Sequence, residues 1–325
     1  MIGVGDLASI LPLATIVLAV LWRGLGWVMA VGYRFARARL QRLVPGQRSS
    51  VLLIVSAMPL GIGLAMTAAV FTPWVGGHLV AAHCHGELDC KAHVPTILSD
   101  PVAYASLGLA TLFAGYVLLH LGRVLLREIR LWRNLGTLAR QSPGDIVIID
   151  HTEPIAFSLG LFRPTACISQ ALIKQTSYDE LQAVIQHEQA HGDRRDNLRA
   201  ILASICTLGF PAAMRRQLVG DLRMAAEQAC DGRAASALAD PLLVAQTLIK
   251  VQRLSHRAAD LVPCGFSHSN TAARVLALLQ PNGVQAGGRL VLSLLTGSVG
   301  LIILGADSVH HLVETVLGWL QDAAS

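Results

Sequence analysis

Four apolar stretches constrain this chain more than anything else in it. Residues 7–31, 51–71, 102–122 and about 288–306 are each apolar enough, and long enough as helices, to cross the ~30 Å of a bilayer's hydrocarbon. Inside lipid every backbone N–H and C=O must find its partner within the segment, so each stretch is expected to be a helix. The 325 residues are 53% hydrophobic and only 14% charged, with mean hydropathy +0.52, which is unlike a soluble enzyme and follows from such spans. Arg23, inside the first stretch, reads as a side chain that snorkels to the interface, with a position facing another helix as the alternative. Asp6, and the absence of any basic residue before the apolar run, argue against a cleaved secretory leader.

Charge placement orients the spans. Arg34, Arg37, Arg39, Arg42 and Arg48 follow the first, and Arg123, Arg127, Arg130, Arg133 and Arg140 follow the third. Residues 72–101 carry one lysine, Lys91, against Glu87, Asp89 and Asp100. The positive-inside rule then puts both chain ends and the 72–101 loop outside, and the segment between spans three and four in the cytoplasm. The formal charge of +5 is spread over these flanks, so it marks topology and offers nucleic acid no surface. The expected plan is a membrane part over 1–125, a soluble part over 126–286, and a fourth span with an external amphipathic tail over 287–325. In the external loop, Cys84 and Cys90 stand among His78, His83, His85 and His93. In an oxidising compartment they read as a small disulfide loop, with a Cys/His metal or redox sensor as the sharper alternative. Cys167, Cys206, Cys230 and Cys264 fall in the cytoplasmic part and read as free thiols.

Within the soluble part lies His187-Glu188-Gln189-Ala190-His191. Two histidines four apart share one helix face and can reach one zinc ion, and the glutamate after the first can act as base towards a water there. The helical context is legible: Ser177-Tyr178-Asp179-Glu180 reads as a capping box, and Leu181, Val184 and Ile185 form an apolar stripe. A third ligand is still needed. Glu227 could complete a His2Glu set for one Zn2+ per chain, and Asp231, one turn on, could hold a ligating imidazole from behind. A lone helical glutamate would otherwise read as solvated; HExxH is what raises Glu227 to a ligand. Ahead of the motif, 145–150 and 155–162 read as short strands, with a turn at Arg163-Pro164. A sheet beside the helix would offer an edge for an extended peptide, or merely cover the helix.

Gly160-Leu161-Phe162-Arg163-Pro164, the HExxH helix, Arg194-Arg195-Asp196-Asn197-Leu198 and Glu227-Gln228-Ala229-Cys230-Asp231 occur in that order. Over Val147 to Ala235 the chain therefore resembles the metallopeptidase domain of the BlaR/MecR family, bacterial membrane zinc peptidases that transduce β-lactam signals. The resemblance implies a mainly α integral membrane protein with an α+β, gluzincin-like zinc endopeptidase at the inner face of the bacterial inner membrane. It also implies a protein or peptide substrate, often a transcriptional repressor or other regulator. The antibiotic sensors carry a large penicillin-binding domain after the last span; here the sequence ends at Ser325, so the input is expected to be another signal, a partner, or nothing.

Residues 200–214 are apolar, with Gly209 and Pro211, yet span only ~22 Å as a helix, short of a crossing. A single crossing would also part Glu227 from His187 and His191. The segment reads as a helix buried in the domain or lying at the membrane surface, with a membrane hairpin, as in HtpX-type peptidases, as the alternative. Asp240-Pro241 starts one helix and Ala272 to Leu279 forms another. Val309, Leu312, Val313, Val316, Leu317 and Leu320 share a face near Trp319, suggesting a tail helix at the outer interface, an extension of the span or a contact between copies. His256 and His268 read as structural or solvated, and His151, Arg194 and Arg223 are unranked candidates to stabilise an oxyanion. The competing functions are an HtpX-like quality-control peptidase and a signalling scaffold that does not cleave; membrane lipid is expected as a partner in every case, and self-association is left open.

Overall fold

The computed structural model describes residues 4–72, 79–80, 83–84, 90–91, 94–95, 97, 100–136, 139–141, 146–255, 271–280 and 283–323. His78, His85, His93, His256, Cys264 and His268 lie outside the described residues, as do the side chains of Cys84 and Cys90. A two-residue ladder, β1 (His83–Cys84) against β2 (Cys90–Lys91), sets Cys84 opposite Cys90 in register.

The apolar stretches form α1 (Val4–Leu40), α2 (Pro45–Phe71), α3 (Asp100–Gly136) and, at the end of the chain, α10 (Gly287–Asp322). All four are long and apolar enough to cross a membrane. They pack chiefly as a row, α3 on α1, α1 on α2 and α2 on α10, so α3 and α10 keep broad apolar faces exposed. Hydroxyls within the row bond back to their own helix, as Ser56 to the Leu52 carbonyl and Thr67 to that of Gly63 (both 2.8 Å), so they add little unpaired polarity.

Between α3 and α10 lies a four-stranded sheet of order β3-β4-β6-β5, built from β3 (Ala139–Gln141), β4 (Ile146–Ile149), β5 (Ala156–Leu159) and β6 (Thr165–Ser169). β4 and β6 are parallel and the outer pairs antiparallel. β5 is an edge strand and lies against α5. The turn from β5 to β6 needs Gly160: its φ is +114°, and a Cβ there would sit 2.7 Å from the Arg163 carbonyl oxygen.

Helices α4 (Gln170–Gln175), α5 (Tyr178–Arg194), α6 (Asp196–Cys206), α7 (Ala212–Leu238), α8 (Pro241–Ser255) and α9 (Thr271–Leu279) complete the fold. The α5 cap is the expected box: Ser177 Oγ accepts from the Glu180 amide (3.3 Å) and Glu180 accepts from the Ser177 amide (2.7 Å). Arg195, at φ 52°, ψ 45°, breaks the helix and turns α6 away. Asn197, just after the break, donates to the Ser158 (2.9 Å) and Gly160 (3.3 Å) carbonyls and so ties α6 to the edge strand.

Two open readings are decided. Of the readings for residues 200–214, a hairpin partly buried in the fold is the one observed: α6, a 3-10 turn at Thr207–Gly209 and the start of α7 double back with both helices packed on α2, and the turn meets α1. Trp22 Nε1 donates to the Cys206 carbonyl (3.0 Å), and Gly26 and Gly209 touch so closely that a Cβ on Gly26 would lie 2.5 Å from the Gly209 oxygen. The contact lies about 16 Å along α1 from the Arg34–Arg37 turn, at 1.5 Å per residue. Arg23 turns to this tip and donates to the Leu208 carbonyl (3.5 Å), meeting one of the acceptors that a helix end leaves free. Lower down, Asp221 accepts from Tyr33 Oη (2.5 Å) and from Arg37 (2.5 and 2.9 Å). The second concerns the tail. α10 runs unbroken through residue 306, because no proline interrupts it, and Leu317, Val309 and Val313 pack on Ile10, Leu13, Val70 and Phe71 at the ends of α1 and α2.

Candidate metal centre

Helix α5 carries His187, Glu188 and His191 on its inner side, and α7 brings Glu227 across from them. The two Nε2 atoms stand 3.1 Å apart. Glu227 faces both, Oε2 at 3.6 Å from His187 and Oε1 at 3.7 Å from His191. Behind each ring a carboxylate takes the other nitrogen: Asp231 Oδ1 lies 2.9 Å from His187 Nδ1, and Asp196 Oδ2 lies 3.0 Å from His191 Nδ1. If each Nδ1 donates its hydrogen to that carboxylate, both Nε2 atoms present lone pairs to each other and to Glu227. Such converging acceptors repel unless a cation or protons sit among them.

The donor set suits zinc. Ligands 2.0–2.2 Å from a tetrahedral centre stand about 3.3–3.6 Å apart, close to the separations here. Electrostatics points the same way. Burial disfavours charge on His187, but Asp231 and Glu227 outweigh it and raise that imidazole above its ordinary value. His191 is raised further, burial again opposing and Asp196, Cys230 and Glu227 prevailing. Burial favours the neutral form of Glu227, yet His187, His191 and Arg274 hold its carboxyl well below the usual range. Glu188, 4% exposed, is pushed up, chiefly by burial.

The structure thus brings together His187, His191, Glu227, Glu188 and Asp231, and adds residues that sequence reasoning left without a role. Asp196 lies in the Arg194–Leu198 motif, but its partnership with His191 depends on the αL break at Arg195. Arg274, on α9, is the larger addition. It is 4% exposed; Nε and Nη2 bond the two oxygens of Asp231 (2.7 and 2.6 Å), and Nη1 lies 3.0 Å from Glu227 Oε2. An arginine in a short amphipathic helix gives no sequence signal of that kind. Cys230 is buried, with Sγ 3.5 Å from Asp196 Oδ2, and Cys167 and Cys206 are likewise free thiols. Of the three oxyanion candidates, Arg194 is engaged by Asp196 (3.1 Å) and Ser49 Oγ (2.6 Å), and His151 accepts from the Glu153 amide (3.1 Å). Arg223 is exposed on α7, one turn before Glu227.

The start of α2 braces this cluster. Ser49 Oγ meets Arg194 and Arg199 (3.1 Å), while Arg48 bonds Gln228, the neighbour of Glu227, which in turn donates to the Ala273 carbonyl beside Arg274 (3.0 Å).

A model of peptidase family M48 matches residues 128–296, just over half of the chain. The chain belongs to peptidase family M48. This M48 match spans every residue of the cluster and ends within α10. It makes the chain a member of a metallopeptidase family whose proteins are typically zinc-dependent, and the four long apolar helices fit a membrane-associated member. No curated protein and no solved structure matches the chain.

Proposed function

We propose that this M48 protein is a membrane-bound zinc endopeptidase that cleaves a regulatory protein at or near the cytoplasmic face of a bacterial inner membrane. His187, His191 and Glu227 would hold one zinc, and Glu188 would be the general base. The observation that carries the reading is the convergence of two imidazole Nε2 atoms 3.1 Å apart on one carboxylate, each ring held from behind by an aspartate. When bound, zinc supplies a Lewis acid that polarises the scissile carbonyl and brings the attacking water's pKa towards ~7. Glu188 takes that water's proton as it attacks and later gives it to the leaving amine; burial raises its carboxyl, the direction a base that later serves as an acid requires. Asp231 and Asp196 keep the rings in the tautomer that points Nε2 inward. The edge strand β5 offers unpaired backbone groups to an extended substrate.

Arginine placement supports a cytoplasmic peptidase domain over 126–286, with both chain ends and the 72–101 loop outside. Signalling of the BlaR/MecR kind, with a repressor as substrate, is supported by the ordered motifs. A quality-control role of the HtpX kind is the second reading, favoured by the hairpin between HExxH and Glu227, whose helices pack on α2 and whose turn meets α1. Lipid would cover the outer faces of α3 and α10. Glu188→Gln in the full-length protein tests the catalytic reading: zinc content should stay at one per chain while cleavage and any downstream response vanish. A wild-type response from that variant would favour a scaffold that does not cleave. Peptides that accumulate only in the wild-type strain separate the two peptidase readings, since a single regulator or many membrane proteins would yield them.

A further inference from the structure

On the His187 side of the cluster, α5, α8 and α9 border a cavity of about 30 Å³. Glu188, His187, Asp231 and Arg274 supply its charged lining. The rest is apolar, from Ala183 and Val184 on α5 and Val244, Leu248 and Val251 on α8, with one exception, the hydroxyl-bearing Thr247. Thr247 is 3% exposed, and its Oγ1 has no hydrogen-bond partner among the described residues. Helical threonines usually bond the carbonyl four residues back, as Thr67 and Thr207 do here at 2.8 and 2.6 Å; Thr247 does not. A buried hydroxyl left without a partner is costly, so this one is matched to an occupant of the cavity.

We propose that the cavity receives the side chain of the substrate residue next to the scissile bond, and that Thr247 makes it selective for serine or threonine. This rests on the peptidase reading, because Glu188 borders the cavity and its carboxylate is the group that must meet the attacking water. Room for about two waters is room for one small side chain, and leucine or phenylalanine would have to push α8 outward. The apolar walls of α5 and α8 would accept a methyl or methylene, while Thr247 Oγ1 can donate to or accept from the substrate hydroxyl. Waters that occupy the cavity between turnovers would be displaced by a group that reproduces their bond to Thr247.

The test uses the zinc-loaded, full-length protein in lipid nanodiscs and a series of N-acetyl amino-acid hydroxamates, whose hydroxamate engages zinc. The seryl probe should bind about tenfold more tightly than the leucyl or phenylalanyl probe, the scale of one satisfied hydrogen bond plus a steric fit. Thr247→Val should weaken the seryl probe about fivefold and leave the alanyl probe within about twofold, while Thr247→Ser should retain the seryl preference. Equal affinity for the seryl and leucyl probes, or equal loss of the seryl and alanyl probes in Thr247→Val, overturns the assignment and leaves the peptidase reading standing. Probes that bind no better with zinc than without it overturn the peptidase reading, and this proposal with it.

Discussion

Replacing Arg274 by methionine keeps a long side chain and removes a cation that spans Glu227 and Asp231. Arg274 and Asp231 are only 4% and 2% exposed at the side chain, so solvent cannot take over the contacts at 2.6 and 2.7 Å. Glu227 is 37% exposed, and its contact with Arg274 contributes much less. Breaking one partner of a buried pair costs about 3–5 kcal/mol, because the other charge stays buried. For a domain of this size that lowers the apparent Tm of the zinc-free protein by about 10 °C. Zinc affinity discriminates between two roles for the arginine. If Arg274 merely neutralised Glu227, removing it would leave the site more negative and tighten zinc. If it orients Asp231, and through it His187, zinc binding weakens about tenfold, the scale expected for residues that position ligands. The geometry favours the second outcome, since two of the three contacts go to Asp231. Thermal unfolding in detergent and zinc competition with a chromophoric chelator measure both quantities. Adding Asp231→Asn to the methionine variant should recover part of the lost stability, because the uncompensated charge is then gone. A Tm within about 2 °C of wild type, with zinc bound as tightly or more tightly, would refute the reasoning.

Asp196→Ala and Asp231→Ala should each reduce zinc affinity about 10–100-fold by releasing one imidazole, as read by the same competition, and Asp196→Ala leaves HExxH itself intact. Zinc binding should strengthen with pH. Protons on His187 and His191 stabilise the metal-free fold fully below about pH 6.5, the unfolded value, and that contribution fades as pH rises through their raised folded values. Zinc competes for the same lone pairs, so its affinity should climb over that interval; a flat profile from pH 6 to 9 would count against the assigned ligands. Gly26→Leu should cripple folding or expression, since even a Cβ there would lie 2.5 Å from the Gly209 oxygen, whereas Gly24→Leu, with open space around it, should be tolerated. Equal yields of the two variants in membranes would argue against the hairpin's position along α1.

The parts of this protein that follow from short-range pattern were legible without coordinates. The i, i+4 histidines, the capping box at Ser177 and Glu180, the turn at Arg163-Pro164 and the four apolar helices each depend on neighbours within a few residues, where periodicity and local sterics decide the outcome. The second strand, expected to reach Phe162, stops at Leu159 because Gly160 already turns the chain. The need of HExxH for a third ligand also brought Glu227 and Asp231 forward, although it gave no distance between them and α5. What it did not yield was anything decided by which helix meets which. Asp196 reaches His191 only because the chain adopts αL geometry at Arg195. Arg274 lies 43 residues from Asp231 in sequence, and nothing in Thr271–Leu279 sets one arginine apart.

Residues 200–214 show the division most clearly. Their composition said apolar and their length said too short to cross, both of which hold. Whether such a segment lies flat or folds into a hairpin depends on a groove to receive it. Gly26, without a Cβ, and Trp22, with an indole N–H that bonds the Cys206 carbonyl 184 residues away in sequence, make that groove on α1. The tail shows the same: an apolar stripe predicts that something covers it, and only packing reveals that part of the cover is α1 and α2. Local backbone physics wrote the elements and the chemistry into the sequence of this M48 protein. The partners of its buried charges, and the path of its hairpin, were decided by tertiary contacts whose energies no single segment contains.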